Sequence, residues 1–283
     1  MAKGLMSKGL MRRGLSGAVE AIMREAAQRA ILPRYQTLAA HEVIAKAVDD
    51  VVTVADHESE AILAERLSRL LPEATIVGEE AAHADPASLD RLGDALCWII
   101  DPLDGTNNFA GGKPPFGVLV ALSESGETIG GWLLDPLTGR FCHAERGTGA
   151  FMNGERLLAR ASGEPLPVAA ISLLYMEPEQ RAAVQSEIAP HYRLVDIPRC
   201  AAEQYPRLVL GQNDVSIFNR TLPWDHAAGI LFLNEAGGMA ARPDGSDFRV
   251  DDHARLGLIG AATPQLWESM AARMAALPIP GQP

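Results

Sequence analysis

The stretch WIIDPLDGTNNFAGG, residues 98–112, poses the question on which the rest of the chain turns. An apolar run of β type, LCWII at 96–100, leads directly into Asp101 and Asp104, followed by Gly105, Thr106 and two asparagines. A buried carboxylate without a partner is costly. A strand that delivers two of them to its end therefore implies positive charge waiting there.

Short β-type runs lie on either side: TIVG at 75–78, FGVLVAL at 116–122, TIGGWLL at 128–134 and RFCHAE at 140–145, with PLTG at 136–139 as a hairpin turn. Upstream, apolar residues at three- and four-residue steps predict helices over Leu15–Gln28 and Leu38–Ala47, divided by Pro33. A third helix is predicted over His57–Leu71, with Asp56 as its N-cap and Pro72 beyond its end. Downstream, strands are predicted near 169–174, 193–197, 215–218 and 257–261, and helices over 201–210, 224–235 and 264–277. This order implies layered sheets and helices, an α+β half over 15–160 followed by a more regular α/β half over 161–283.

A chain of 283 residues with 47% hydrophobic content can bury a substantial core, and residues 15–283 read as one domain behind a tail over 1–14. That tail, MAKGLMSKGLMRRG, repeats a Lys/Arg-Gly-Leu unit and contains no acid, and its glycines disfavour a helix. It has neither the apolar centre nor the cleavage site of a signal peptide. No window approaches ~18 uninterrupted apolar residues, so no membrane-spanning helix is expected. A net charge of −11 argues against a nucleic-acid surface, and the same surplus of acids calls for divalent cations if several converge. Cys97, Cys142 and Cys200, odd in number and widely spaced, read as buried thiols of a reducing, cytoplasmic compartment.

Acids fall at element ends in three places: Glu79 and Glu80 in IVGEEA, Asp101 and Asp104 in DPLDG, and Asp225 in PWDHAAG. Singly, these are a solvated pair, a turn and a helix cap. Converging, they form a set of hard oxygen donors suited to Mg²⁺.

In that order and separation, GEE, DPLDGTNNF and WDHAAG…EAGG resemble the signature of the inositol monophosphatase family of Mg²⁺-dependent, lithium-sensitive phosphatases, with DDVVTVAD at 49–56 and GAFMNG at 149–154 extending the likeness. The resemblance implies a layered αβαβα sandwich of the inositol monophosphatase and sugar phosphatase type, a homodimer, and two or three Mg²⁺ ions per active site. It implies that Glu79, Asp101 and the Leu103 carbonyl hold one ion and that Asp101, Asp104 and Asp225 hold a second, around a water that attacks the phosphate. It further implies that the Gly105 and Thr106 amides meet the phosphate, and that Thr106, with Glu79 and an aspartate, activates the water. Asp50 is chosen as that aspartate because the pattern D-V-V-T-x-x-D begins there. Asn107 and Asn108 read as scaffold, and His226 has no expected metal role in a hard-oxygen site.

The substrate wall departs from the family. RCAA at 199–202 replaces a Gly-Ser/Thr-Ala-Ala segment, so Arg199 and Cys200 stand for a glycine and a hydroxyl ahead of Ala201, and Phe218 stands where a ring-binding Glu is usual. These changes weaken the case for myo-inositol 1-phosphate. Arg199 and Arg220 are either surface arginines paired with Glu203 or Asp214, or recognise a second anionic group on the substrate. The expected activity is hydrolysis of a small phosphorylated polyol or sugar. Histidinol phosphate, fructose 1,6-bisphosphate and adenosine 3′,5′-bisphosphate are alternatives, as is a regulatory protein accessory to RNA polymerase on the same scaffold.

Overall fold

The computed structural model describes residues 14–47 and 50–277; the expected tail lies, apart from Gly14, outside them. Helix α1 (Leu15–Ala26) runs on through a π turn to Ile31. The helix predicted over 38–47 does not form. Ala40–Glu42 make a single 3-10 turn, and β1 (Val43–Ala47) pairs antiparallel with β2 (Asp50–Thr53). The stiff side chains of Val43, Ile44, Val51 and Val52 suit a pleated pair, and a partner strand overrides weak helical spacing. Helix α2 (Val54–Leu70) starts earlier than predicted because Thr53, not Asp56, is its N-cap: Ala55 N donates to the Thr53 hydroxyl at 3.1 Å. Asp56 closes the capping box by accepting from Thr53 N at 2.8 Å.

There follow β3 (Thr75–Gly78), α3 (Glu79–Ala84), β4 (Cys97–Asp104), α4 (Thr106–Ala110), β5 (Gly117–Glu124), β6 (Glu127–Leu134), β7 (Phe141–Glu145), β8 (Gly149–Met152) and β9 (Glu155–Leu157). These strands form a seven-stranded sheet in sequential order, parallel only between β3 and β4. The remainder comprises β10 (Val168–Ile171), α5 (Pro178–Ala183), β11 (Arg193–Leu194), α6 (Ala201–Val209), β12 (Val215–Phe218), α7 (Pro223–Glu235), β13 (Met239–Ala241), β14 (Leu258–Ala261) and α8 (Pro264–Ala275). Its sheet has the order β11-β10-β12-β14-β13.

Strand alternation sorts the core into layers. On one face of the larger sheet Trp98, Ile100, Val118 and Trp132 pack on Val19 and Met23 of α1 and Leu63 and Leu67 of α2. On the other, Cys97, Ile99, Leu119 and Leu133 meet Tyr205 and Leu208 of α6 and Ala228 and Phe232 of α7, a core that reaches Leu258 of the smaller sheet. Beyond that sheet, Val215, Ile217 and Ile259 pack against Ile188 and against Trp267 and Met270 of α8. The result is αβαβα. Helix α7 lies between two sheets, which explains why it is buried from His226 to Leu233 instead of carrying one apolar stripe. Among the described residues, no helix is long and apolar enough to cross a membrane.

Candidate active site

Every residue of β4 is buried, including Asp101 and Asp104. Residues three apart point to opposite faces of a regular strand. Here the pairing with β5 shifts register between Asp101 and Asp104, and this irregularity turns both carboxylates toward one cavity of about 200 Å³. Glu79 at the start of α3 and Asp225 in the first turn of α7 line the same cavity.

Burial, reinforced by Glu79, Asp104 and Asp225, holds the Asp101 carboxyl well above the usual carboxylate range. Burial and then Asp225 do the same to Glu79, against the pull of Lys46. Burial pushes Asp104 up to about 6, although the amides of Ala202 (2.6 Å), Ala201 and Gly105 and the Cys200 thiol offset part of it. The expected Gly105 contact with phosphate therefore competes with Asp104 for one amide. The site is a set of mutually repelling hard donors, and that chemistry fits divalent cations. The carboxylates line the cavity without closing on one point: among the described residues, no three His, Cys, Asp or Glu already have liganding geometry.

Glu79 owes its place to residues that local reading passed over. Glu60 of α2 accepts from Glu80 N at 2.8 Å and Ala81 N at 2.9 Å, fixing the first turn of α3. Its carboxyl occupies the space a Cβ on residue 78 would need, so the glycine of GEE is a requirement of close approach. Lys46 of β1 reaches Glu80 at 2.7 Å and Glu79 at 3.4 Å, with its side chain only 7% exposed. Burial works against its ammonium, but Glu79 and Glu80 outweigh it and raise its pKa. Lys46 was hidden by the mistaken helix over 38–47.

Thr106 is paired with Asp56; the side chain of Asp50, the aspartate expected there, lies outside the described residues. The Thr106 hydroxyl lies 3.0 Å from Asp56 Oδ1 and 2.8 Å from the Leu103 carbonyl oxygen, and it carries one proton to give. The other oxygen, Asp56 Oδ2, accepts from Thr53 Oγ1 at 2.6 Å. The capping box carries Asp56, 1% exposed, inward to Thr106, and burial pushes its carboxyl up to about 6. Ser59 Oγ, one turn along α2, donates to the Pro102 carbonyl at 2.9 Å and pins the loop between the two β4 aspartates. The Gly105 φ of 81° is left-handed, and a Cβ there would press on the Pro115 carbonyl at 3.0 Å and Cys200 Cβ at 3.2 Å.

Arg199, Cys200, Ala201, Phe218 and Arg220 line the same cavity, joined by Tyr175, which sequence reading missed. Burial, then Asp104, keeps the Cys200 thiol protonated, with its pKa well above the usual thiol value. Phe218 stacks on Tyr205 with centroids 5.7 Å apart. His226 is committed inside the protein: Nδ1 is 2.8 Å from the Tyr205 hydroxyl and Nε2 is 3.2 Å from the Arg220 carbonyl oxygen. Since a carbonyl only accepts, Nε2 carries the proton and Nδ1 accepts from Tyr205; burial lowers the pKa of His226 to about 3.

Known proteins resemble this chain in sequence and in fold. The sequence model of the inositol monophosphatase family matches residues 13–277. Inositol-1-monophosphatase of Bacillus subtilis is 32% identical over 213 residues, covering 74% of this chain and 78% of that one. The Nus factor SuhB of Escherichia coli K12 is 31% identical over 249 residues, covering 86% and 90%. Among solved structures, the extragenic suppressor protein suhB of Bartonella henselae superposes with a TM-score of 0.74 at 26% identity, covering 92% of this chain and 99% of that one. With a family match over residues 13–277 and a relative 32% identical over most of both chains, the chain belongs to the inositol monophosphatase family, and it is a phosphatase.

Proposed function

We propose that the chain is a Mg²⁺-dependent phosphomonoesterase that hydrolyses a small phosphorylated polyol or sugar. The observation that carries this reading is the convergence of Glu79, Asp101, Asp104 and Asp225 on one cavity beside the Thr106–Asp56 pair. Glu79, Asp101, the Leu103 carbonyl, Asp104 and Asp225 would hold two or three Mg²⁺ ions, which when bound supply positive charge at the phosphate and make a water more acidic.

The chain's own groups do the rest. Thr106 Oγ1 takes a proton from the attacking water and passes its own to Asp56, whose pKa of about 6 leaves it ionised at neutral pH yet basic enough to accept. As the water oxygen bonds to phosphorus, the ester bond on the far side breaks, and the leaving oxygen takes a proton from solvent and departs as the alcohol. The Thr106 amide orients a phosphate oxygen, and Glu79 borders the water's place. Phe218 offers no carboxylate to ring hydroxyls, which favours substrates other than myo-inositol 1-phosphate. Histidinol phosphate, fructose 1,6-bisphosphate and adenosine 3′,5′-bisphosphate stay in the test set.

The likeness to a Nus factor sustains a second reading, a regulatory protein accessory to RNA polymerase on the same scaffold. The retained acids, costly in a retired site, count against it as the sole role. A cytoplasmic homodimer completes the proposal, in keeping with the family and with the free, buried thiols of Cys97, Cys142 and Cys200. Phosphate release across a panel of esters, with Mg²⁺ after chelator treatment, tests the activity. Release should require Mg²⁺ and fall at least ~100-fold in Asp101→Asn; no release from any ester would reject the enzyme reading, and a stable partner recovered with Asp225→Asn as well as wild type would favour the second.

A further inference from the structure

The cavity that holds the carboxylates is also lined by two arginines and by strained backbone. Arg199 (φ 53°) and Tyr175 (φ 62°) both sit in the left-handed region, where residues bearing a Cβ pay a conformational cost. Both line the cavity, and Tyr175 is 53% exposed. The Arg220 guanidinium stacks on the Tyr175 ring, 4.1 Å from its centroid, and Asn219 Nδ2 donates to the Tyr175 carbonyl. His226 holds the Arg220 carbonyl from below, and Asn108 Nδ2 binds the Pro198 carbonyl at 2.9 Å beside Arg199. The Arg199 backbone approaches the Gly105 turn, where its carbonyl would lie 3.4 Å from a Cβ.

The ordinary explanation for these arginines fails. Glu203 is taken by Arg140 at 2.6 Å and Arg207 at 2.7 Å. Asp214 accepts from Ser162 N and Val168 N, both at 2.7 Å, and from the Ser162 hydroxyl at 2.5 Å. Among the described residues, neither Arg199 nor Arg220 has a carboxylate within ion-pair distance. Two guanidinium groups without a carboxylate partner among the described residues, one on strained backbone and the other stacked on Tyr175, line a cavity suited to bidentate recognition of an anion.

We propose that Arg199 and Arg220, the latter oriented by Tyr175, form a second anion subsite, so that the preferred substrate carries a phosphate or carboxylate in addition to the ester that is cleaved. This rests on the phosphatase reading for its first phosphate, and the test separates the two. kcat/KM is measured for matched pairs: fructose 1,6-bisphosphate against fructose 1-phosphate, adenosine 3′,5′-bisphosphate against adenosine 3′-phosphate, and, for a carboxylate, 3-phosphoglycerate against glycerol 3-phosphate. Wild type prefers, in at least one pair, the member that carries the second anionic group. That preference falls about 10- to 100-fold in Arg220→Ala and in Arg199→Gly, the range expected for one lost charge-assisted contact.

Glycine accepts the left-handed backbone, so Arg199→Gly keeps or raises Tm, by about 1–4 °C, while selectivity drops. A loss of selectivity therefore cannot be ascribed to misfolding. Equal loss on both members of every pair, or no change in preference, overturns the subsite. If no ester is hydrolysed, the phosphatase reading fails, and calorimetry with adenosine 3′,5′-bisphosphate decides the subsite alone: binding at least about 10-fold weaker in the double variant supports it, and equal binding overturns it.

Discussion

Replacing Asp56 by Asn should make the protein more stable and far less active, a combination that follows from where Asp56 sits. In the fold its carboxyl titrates at about 6, against 3.8 ordinarily, chiefly because it is buried. At ~1.4 kcal/mol for each tenfold, holding that group ionised costs about 3 kcal/mol at pH 7.5. The sign follows from the raised value: between pH 3.8 and about 6 the folded state keeps a proton that the unfolded chain has released, so stability falls as pH rises through that window. Asparagine keeps the shape and one carbonyl oxygen for Thr53, and it carries no charge. In chelator at pH 7.5 the variant should gain up to about 3 kcal/mol, roughly 2–3 °C in Tm per kcal/mol, and the gain should vanish by about pH 4. Its amide cannot take the Thr106 proton, so the hydroxyl turns to the Leu103 carbonyl and kcat should drop ~10²–10⁴-fold with Mg²⁺ present. Thermal melts by circular dichroism across pH, together with phosphate-release kinetics, read both effects. A variant that melts lower than wild type at pH 7.5, or that keeps activity within about tenfold, would refute this role for Asp56.

Two other expectations concern the same charges. Lys46 is a tethered cation on Glu79 and Glu80, so Lys46→Met should tighten Mg²⁺ binding about tenfold by calorimetry; unchanged or weaker binding would show that the lysine does not compete for the site. Since Asp104 as well as Asp56 is raised to about 6, and burial and neighbouring acids raise Asp101 and Glu79 too, the chelator-treated protein should melt at higher temperature at pH 5 than at pH 8, with saturating Mg²⁺ narrowing the gap. A higher melting temperature at pH 8 in chelator would contradict the assigned burial of these acids.

What could be read before folding was what local pattern encodes. The run 96–100 followed by Asp101 and Asp104 announces a buried strand delivering charge, and α2, α7 and α8 follow from periodicity and caps. The aspartate beside Thr106 was misplaced by counting along D-V-V-T, although Thr53 and Asp56 spell a capping box that turns the second acid inward. The region 38–47 carries helical spacing and strand-forming residues together, and pairing with β2 decides between them. Glu60, Lys46 and Tyr175 reach the cavity from distant segments and leave no local mark. That Arg199 and Arg220 lack Glu203 and Asp214 as ion-pair partners depends on tertiary contacts that engage those acids elsewhere, which no local pattern encodes.

On this reading, the acids at the irregular end of β4 hold the divalent cations on which hydrolysis depends. Parallel Mg²⁺ titrations of chelator-treated wild type and Asp101→Asn, one following heat and the other phosphate release, address it most directly. Binding and activity in wild type should rise with the same midpoint, and both should be lost in the variant. Phosphate release that persists in chelator, or a wild type that binds no Mg²⁺, would contradict it.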